Sequence, residues 1–120
     1  MSQKKRSNGI LSFKFAFEGI HAAFKTESNF KFHLLIALLV IAAGFYFKIS
    51  TNDWTKITVL IGLVITLELT NTAIEAIVNS FTTKTHPGAK LAKDIAAGAV
   101  LVAAITAAVT GVLVFLPYIK

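Results

Sequence analysis

Ile95-Ala-Ala-Gly-Ala-Val-Leu-Val-Ala-Ala-Ile-Thr-Ala-Ala-Val-Thr-Gly-Val-Leu-Val-Phe-Leu-Pro-Tyr-Ile119 runs for 25 residues without a charge. A helix at the surface of a soluble protein would keep a polar face. This one is apolar all round, so it must be buried, and its length suffices to cross a bilayer. Its small residues, among them Ala96, Gly98, Ala103, Ala107 and Gly111, permit close approach of neighbouring helices. The crossing is placed at about 89–118, after the helix-breaking turn His86-Pro-Gly88.

Working outward from that stretch, a second crossing spans about 54–81 and a third, earlier in the chain, about 31–48. The uncharged part of the earlier one, Leu34–Phe47, is only 14 residues long, ambiguous by length alone. Lys31 and Lys48 can lengthen it by snorkelling from its two ends. Between these two crossings, Ile49-Ser-Thr-Asn-Asp-Trp54 supplies polar breakers, a helix cap expected at Asn52 or Asp53, and an interfacial tryptophan. Upstream, Ile10, Phe13, Phe17, Ile20 and Phe24 recur at helical spacing, opposite Lys14, Glu18, His21 and Lys25. A helix over 10–26 with one aromatic face and one charged face suits the membrane surface, or a seat on the bundle, or both. Residues 1–9 are basic and polar and are expected to form a flexible tail. The fold expected is all-α: one integral membrane domain, 1–120, with three transmembrane helices per subunit and an N-terminal amphipathic surface helix.

Composition agrees. A hydrophobic content of 55% and a mean hydropathy of +0.70 exclude an ordinary soluble domain. The absence of cysteine excludes a disulfide framework and a thiolate metal site. The net charge of +6 would suit nucleic acid, but its placement argues otherwise. Nine of the basic residues flank the crossings on one side, in 1–31 and 84–93, and only Lys48, Lys56 and Lys120 lie on the other. That bias is expected to put the N-terminus and the 84–93 loop in the cytoplasm, and it argues against nucleic acid as a partner.

The chemistry concentrates on the middle crossing. Glu68, Asn71, Glu75 and Asn79 are spaced by three, four and four residues, so they form one stripe on one helix face. A carboxylate near a bilayer centre costs about 2.5 kcal/mol or more and is a functional candidate by default. Such a stripe must face other helices or a wet cleft. An assembly-only hydrogen-bond network would account for the amides but gives no reason for two glutamates. Glu27 and Glu75 could share a hard divalent ion such as Mg²⁺, which takes one or two carboxylates together with substrate phosphates. Lys93, near a helix N-terminus, could meet phosphate oxygens, although positive-inside anchoring explains Lys90 and Lys93 as well. His21, His33 and His86 lack metal-ligand spacing and are read as interfacial or structural. No phosphate-loop or dinucleotide fingerprint is present.

Glu68-Leu-Thr-Asn-Thr-Ala-Ile-Glu-Ala-Ile-Val-Asn79, followed by His86-Pro-Gly-Ala-Lys-Leu-Ala-Lys-Asp-Ile-Ala-Ala-Gly-Ala-Val-Leu101, resembles the signature of the prokaryotic diacylglycerol kinase family, which includes the undecaprenol kinases. Phe17-Glu-Gly-Ile-His-Ala-Ala-Phe-Lys-Thr-Glu27 and Asn29-Phe-Lys-Phe-His33 resemble it too, closer to the undecaprenol kinase branch. The resemblance implies a homotrimer in the cytoplasmic (inner) membrane of a bacterium, with active sites built between subunits. It also implies transfer of phosphate from MgATP to the hydroxyl of a lipid alcohol, undecaprenol or diacylglycerol. Carried over position by position, Glu68 is the catalytic base, and Glu27 and Glu75 are the metal-binding carboxylates. Glu27, Asn71, Glu75, His86, Lys93 and Asp94 are then the residues expected around ATP. Asn79 stands where the family usually has aspartate. The alternative outside catalysis is a small ion- or proton-coupled transporter using Glu68 and Glu75, but a transporter has no need of Glu27 and the Lys93-Asp94 pair.

Overall fold

The computed structural model describes residues 9–82 and 86–120. The expected tail over 1–9 and the centre of the turn before His86 therefore lie largely outside the described residues. Four helices follow one another: α1 (Gly9–Thr26), α2 (Ser28–Phe47), α3 (Thr51–Phe81) and α4 (Pro87–Ile119). No strand occurs among the described residues. The last three helices are long and apolar enough to cross a membrane.

Each boundary has a local cause. α2 ends in a Schellman-type turn: Lys48 adopts a left-handed conformation (φ 53°, ψ 54°), and the Ile49 N–H reaches back to the Gly44 carbonyl at 3.2 Å. Ile49 is buried beside this turn. α3 begins two to three residues before its expected start, because the cap is Ser50 rather than Asn52 or Asp53. The Ser50 Oγ accepts from the Asp53 N–H at 3.1 Å, and Asp53 instead falls in the first turn, where a carboxylate suits the helix dipole. α4 starts at Pro87, whose fixed φ and missing N–H suit a first helical position.

At the Ser50 end the three long helices are tied together. The Tyr118 hydroxyl, from the last turn of α4, donates to Asp53 Oδ2 at 2.7 Å and accepts from the Ser50 N–H at 3.0 Å. Beneath this link Ile49, Ile57 and Val114 form a buried core, with Trp54 and Phe115 packed against it. Trp54 also packs on Phe45, ring centroids 4.9 Å apart, and lies directly over Gly44. It is thus a half-buried helix–helix contact in addition to any interfacial role.

Because α2, α3 and α4 are flush at this end, their unequal lengths decide what happens at the other. The 20 residues of α2 make about 30 Å of helix, the thickness of a bilayer core. α3 and α4, with 31 and 33 residues, run on beyond it. Their extensions carry Asn71, Glu75 and Asn79 on α3 and Lys90, Lys93 and Asp94 on α4.

α1 packs against α2 and α3 on this same side, with Ala23 buried in the joint. Lys31 lies 5.4 Å from the centre of the Phe24 ring across the corner. Phe13 and Phe17 stay mostly exposed, and Ile20 and Phe24 partly so. The helix therefore seats on the bundle through Ala23 and leaves its aromatic residues exposed, as an amphipathic helix at a lipid surface would.

Candidate active site

The long middle helix sets the depths of the polar groups. Glu68 lies 17 residues into α3 from Thr51, about 25 Å from the Ser50 end, near the far boundary of a bilayer core. Asn71, Glu75 and Asn79 follow one turn apart and leave that boundary behind. Glu68 is 3% exposed, the one buried charged or polar residue among those described. Its backbone carbonyl accepts from the Thr72 hydroxyl at 2.9 Å.

Around this carboxylate the chain folds the other acids. Glu27, at the break between α1 and α2, and Glu75, two turns along α3, both act electrostatically on Glu68. Glu27 sits at the N-cap position of α2 in extended conformation, yet its side chain caps nothing. Its oxygens are therefore not spent on the helix it begins. Glu75 Oε1 accepts from the Asn71 amide at 3.1 Å, while Asn71 Oδ1 is buried with no hydrogen-bond partner among the described residues. A buried acceptor left open in this way marks a place where a bound donor belongs.

The start of α4 approaches from the other side. Lys93 Nζ donates to Asn79 Oδ1 at 3.1 Å, across the α3–α4 corner. The neutral amide thus holds the lysine without neutralising it. Asp94 pairs with Lys90 one turn back on α4 at 2.6 Å, both side chains well exposed. His86 caps its own helix, its Nδ1 accepting from the Gly88 and Ala89 N–H groups at 3.0 and 3.3 Å. The structure thus sets Asn71 against Glu75 and Lys93 against Asn79, with Glu27 and Glu75 within electrostatic range of Glu68. Asp94 and His86 bond within their own helix.

One residue escapes the sequence reading. His33, in the second turn of α2, places Nε2 3.2 Å from Glu68 Oε1. The two are 35 positions apart on different helices, so no spacing rule connects them. The only hint is a lone imidazole near the start of an otherwise apolar crossing.

Among the described residues no group of three acidic, histidine or cysteine side chains converges as a ready-made metal site. Glu27 and Glu75 supply hard oxygen donors, which suits a divalent ion completed by phosphate oxygens better than an all-protein cage. An apolar groove of about 580 Å³ opens between α2, α3 and α4, with Phe32 and His33 at one end and Leu116 and Ile119 at the other. Its walls include Ala104, Ala107 and Gly111 of α4, where the small side chains make room. A hydrocarbon chain could lie in such a groove with its polar end toward Glu68.

Known proteins are similar to this chain. The family model described as prokaryotic diacylglycerol kinase matches residues 14–115. An undecaprenol kinase of Bacillus subtilis is 48% identical, over 88% of this chain and 86% of its own length. A diacylglycerol kinase of Synechocystis is 39% identical, over 92% of this chain and 63% of its own length. A diacylglycerol kinase of Haemophilus influenzae is 30% identical, over 78% and 80% respectively.

Proposed function

This chain belongs to the prokaryotic diacylglycerol kinase family and is a membrane lipid kinase, and from that premise we propose that it transfers the γ-phosphate of ATP to a lipid alcohol with Glu68 as the base. The observation that carries this reading is the placement of Glu68: buried, about 25 Å along α3, within electrostatic range of two more carboxylates and in contact with His33, which lines an apolar groove.

The geometry suits the reaction. A lipid hydroxyl is a weak nucleophile held at membrane depth, whereas ATP is soluble. Glu68 stands where the alcohol can reach, and accepts its proton as the oxygen attacks the γ-phosphorus. Glu75 lies two turns toward the aqueous side, about 10 Å along the helix. With Glu27 it would hold Mg²⁺, which when bound offsets the charge of the triphosphate. Asn71 keeps Glu75 in place and offers its open Oδ1 to a bound donor. Lys93 adds a cation that its neutral partner Asn79 leaves free to attract phosphate oxygens. Asp94 and His86 complete the aqueous rim around the nucleotide. The transporter alternative finds no support in the family.

The side carrying α1, Glu75 and Lys93 faces the cytoplasm, where ATP is available, and the membrane is the bacterial inner membrane. The preferred acceptor is undecaprenol, supported by the 48% identity to an undecaprenol kinase and by Asn29-Phe-Lys-Phe-His33. The functional unit is a homotrimer, in which the apolar faces of α2 to α4 meet neighbours as well as lipid. Purified protein given labelled ATP, Mg²⁺ and either undecaprenol or diacylglycerol should phosphorylate undecaprenol faster. Labelling of neither lipid would refute the kinase reading, and preference for diacylglycerol would refute the choice of acceptor.

A further inference from the structure

We propose that His33 is a positioning residue for the base, holding one oxygen of Glu68 so that the other is presented to the lipid hydroxyl. The inference rests on the kinase reading given above.

The contact that motivates it joins two crossings at one depth: Nε2 of His33 lies 3.2 Å from Oε1 of Glu68. Glu68 also feels two other acids. Glu27 and Glu75 both bear on it, and His33 is the only basic side chain at ion-pair distance from it among the described residues. Nε2 of His33 is the one side-chain nitrogen at ion-pair distance from that carboxylate among the described residues, so the imidazole is placed to counter those two acids. A carboxylate left to rotate among like charges would seldom face its substrate. With Nε2 this close to Oε1, rotation about the last side-chain bond is restrained and Oε2 is left to take the proton.

His33 is also placed to do this for a lipid in particular. Its ring lines the apolar groove, and the Phe32 ring meets it edge-on, centroids 5.8 Å apart. Its side chain is 19% exposed, against 4% for Glu68. The imidazole thus stands between the groove and the buried carboxylate, beside the path along which a hydroxyl at the end of a hydrocarbon chain would approach. A residue needed only to join α2 to α3 could be replaced by any side chain of similar volume. A positioning residue must retain its donor.

Two variants separate these roles: His33→Leu keeps bulk and removes the donor, while His33→Gln keeps an N–H donor at similar reach. In detergent with MgATP and undecaprenol, His33→Leu should lose about 10²-fold in kcat, the loss typical of a misplaced reacting group. Its KM for MgATP should stay within twofold of the parent, which also shows that the aqueous half of the site is folded. His33→Gln should recover at least tenfold of the lost kcat. A His33→Leu enzyme with kcat within twofold of the parent would overturn the proposal, as would a His33→Gln enzyme no better than His33→Leu. Failure of the parent reading looks different: Glu68→Gln would then retain turnover, whatever the His33 variants do.

Discussion

Lys93 and Asn79 meet across the corner between α3 and α4 through a charge on one side and a neutral amide on the other. The neutral amide leaves the lysine's charge uncompensated by this partner. Asn79→Asp would convert the contact into an exposed ion pair, worth at most about 1 kcal/mol. Thermal unfolding of the purified variant should show a gain no larger than that, with the KM for MgATP raised a few-fold because the new carboxylate competes with phosphate for Lys93. An unchanged KM would mean that Lys93 does not meet the nucleotide. At this scale the sequence is uneven in what it reveals. Glu68 and Glu75 announce themselves because a carboxylate in an apolar helix needs a reason, and their spacing puts them on one face. His33 gives no such signal, since its meaning comes entirely from a contact 35 residues away. Likewise, that Asn79 would reach Lys93 depends on how α4 returns past α3, which no local pattern encodes.

Helix ends and helix contacts account for what the elements add. The three crossings are legible because long runs of apolar side chains leave no other solvent for them, yet their ends are not. Ser50, Thr51, Asn52 and Asp53 can each cap a helix, and only the packed turn after Lys48 selects Ser50. Two substitutions test the packing at this end. At Gly44 an added methyl would stand 2.5 Å from the Trp54 ring, which is wedged between α2 and α3. Gly44→Ala should therefore lower stability by about 1–3 kcal/mol, read as a fall in the midpoint of thermal unfolding. Tyr118→Phe removes the hydroxyl that ties α4 to Asp53 and Ser50, which should cost about 1–3 kcal/mol for the partners left behind. The hydroxyl is some 25 Å from Glu68 along the helix axes, so kcat measured on the folded fraction should be unchanged. A drop in kcat without a drop in stability would show that the two ends are coupled.

For the molecule as a whole, unequal helix lengths do the organising. Three helices begin level at the Ser50 end, α2 stops after about one bilayer thickness, and α3 and α4 carry their polar residues past it. α1 packs against α2 and α3, and Glu27 just after it acts electrostatically on Glu68. The result is a boundary at which a hydroxyl on the apolar side and a triphosphate on the aqueous side can meet across one helix. The measurement that tests this most directly is phosphate transfer by Glu68→Gln in lipid bilayers, with MgATP binding followed in the same preparation. The variant should bind MgATP within a few-fold of the parent and transfer no detectable phosphate to undecaprenol. Turnover at a rate comparable to the parent would contradict the account, because the proton would then be leaving by a route that does not involve the buried carboxylate.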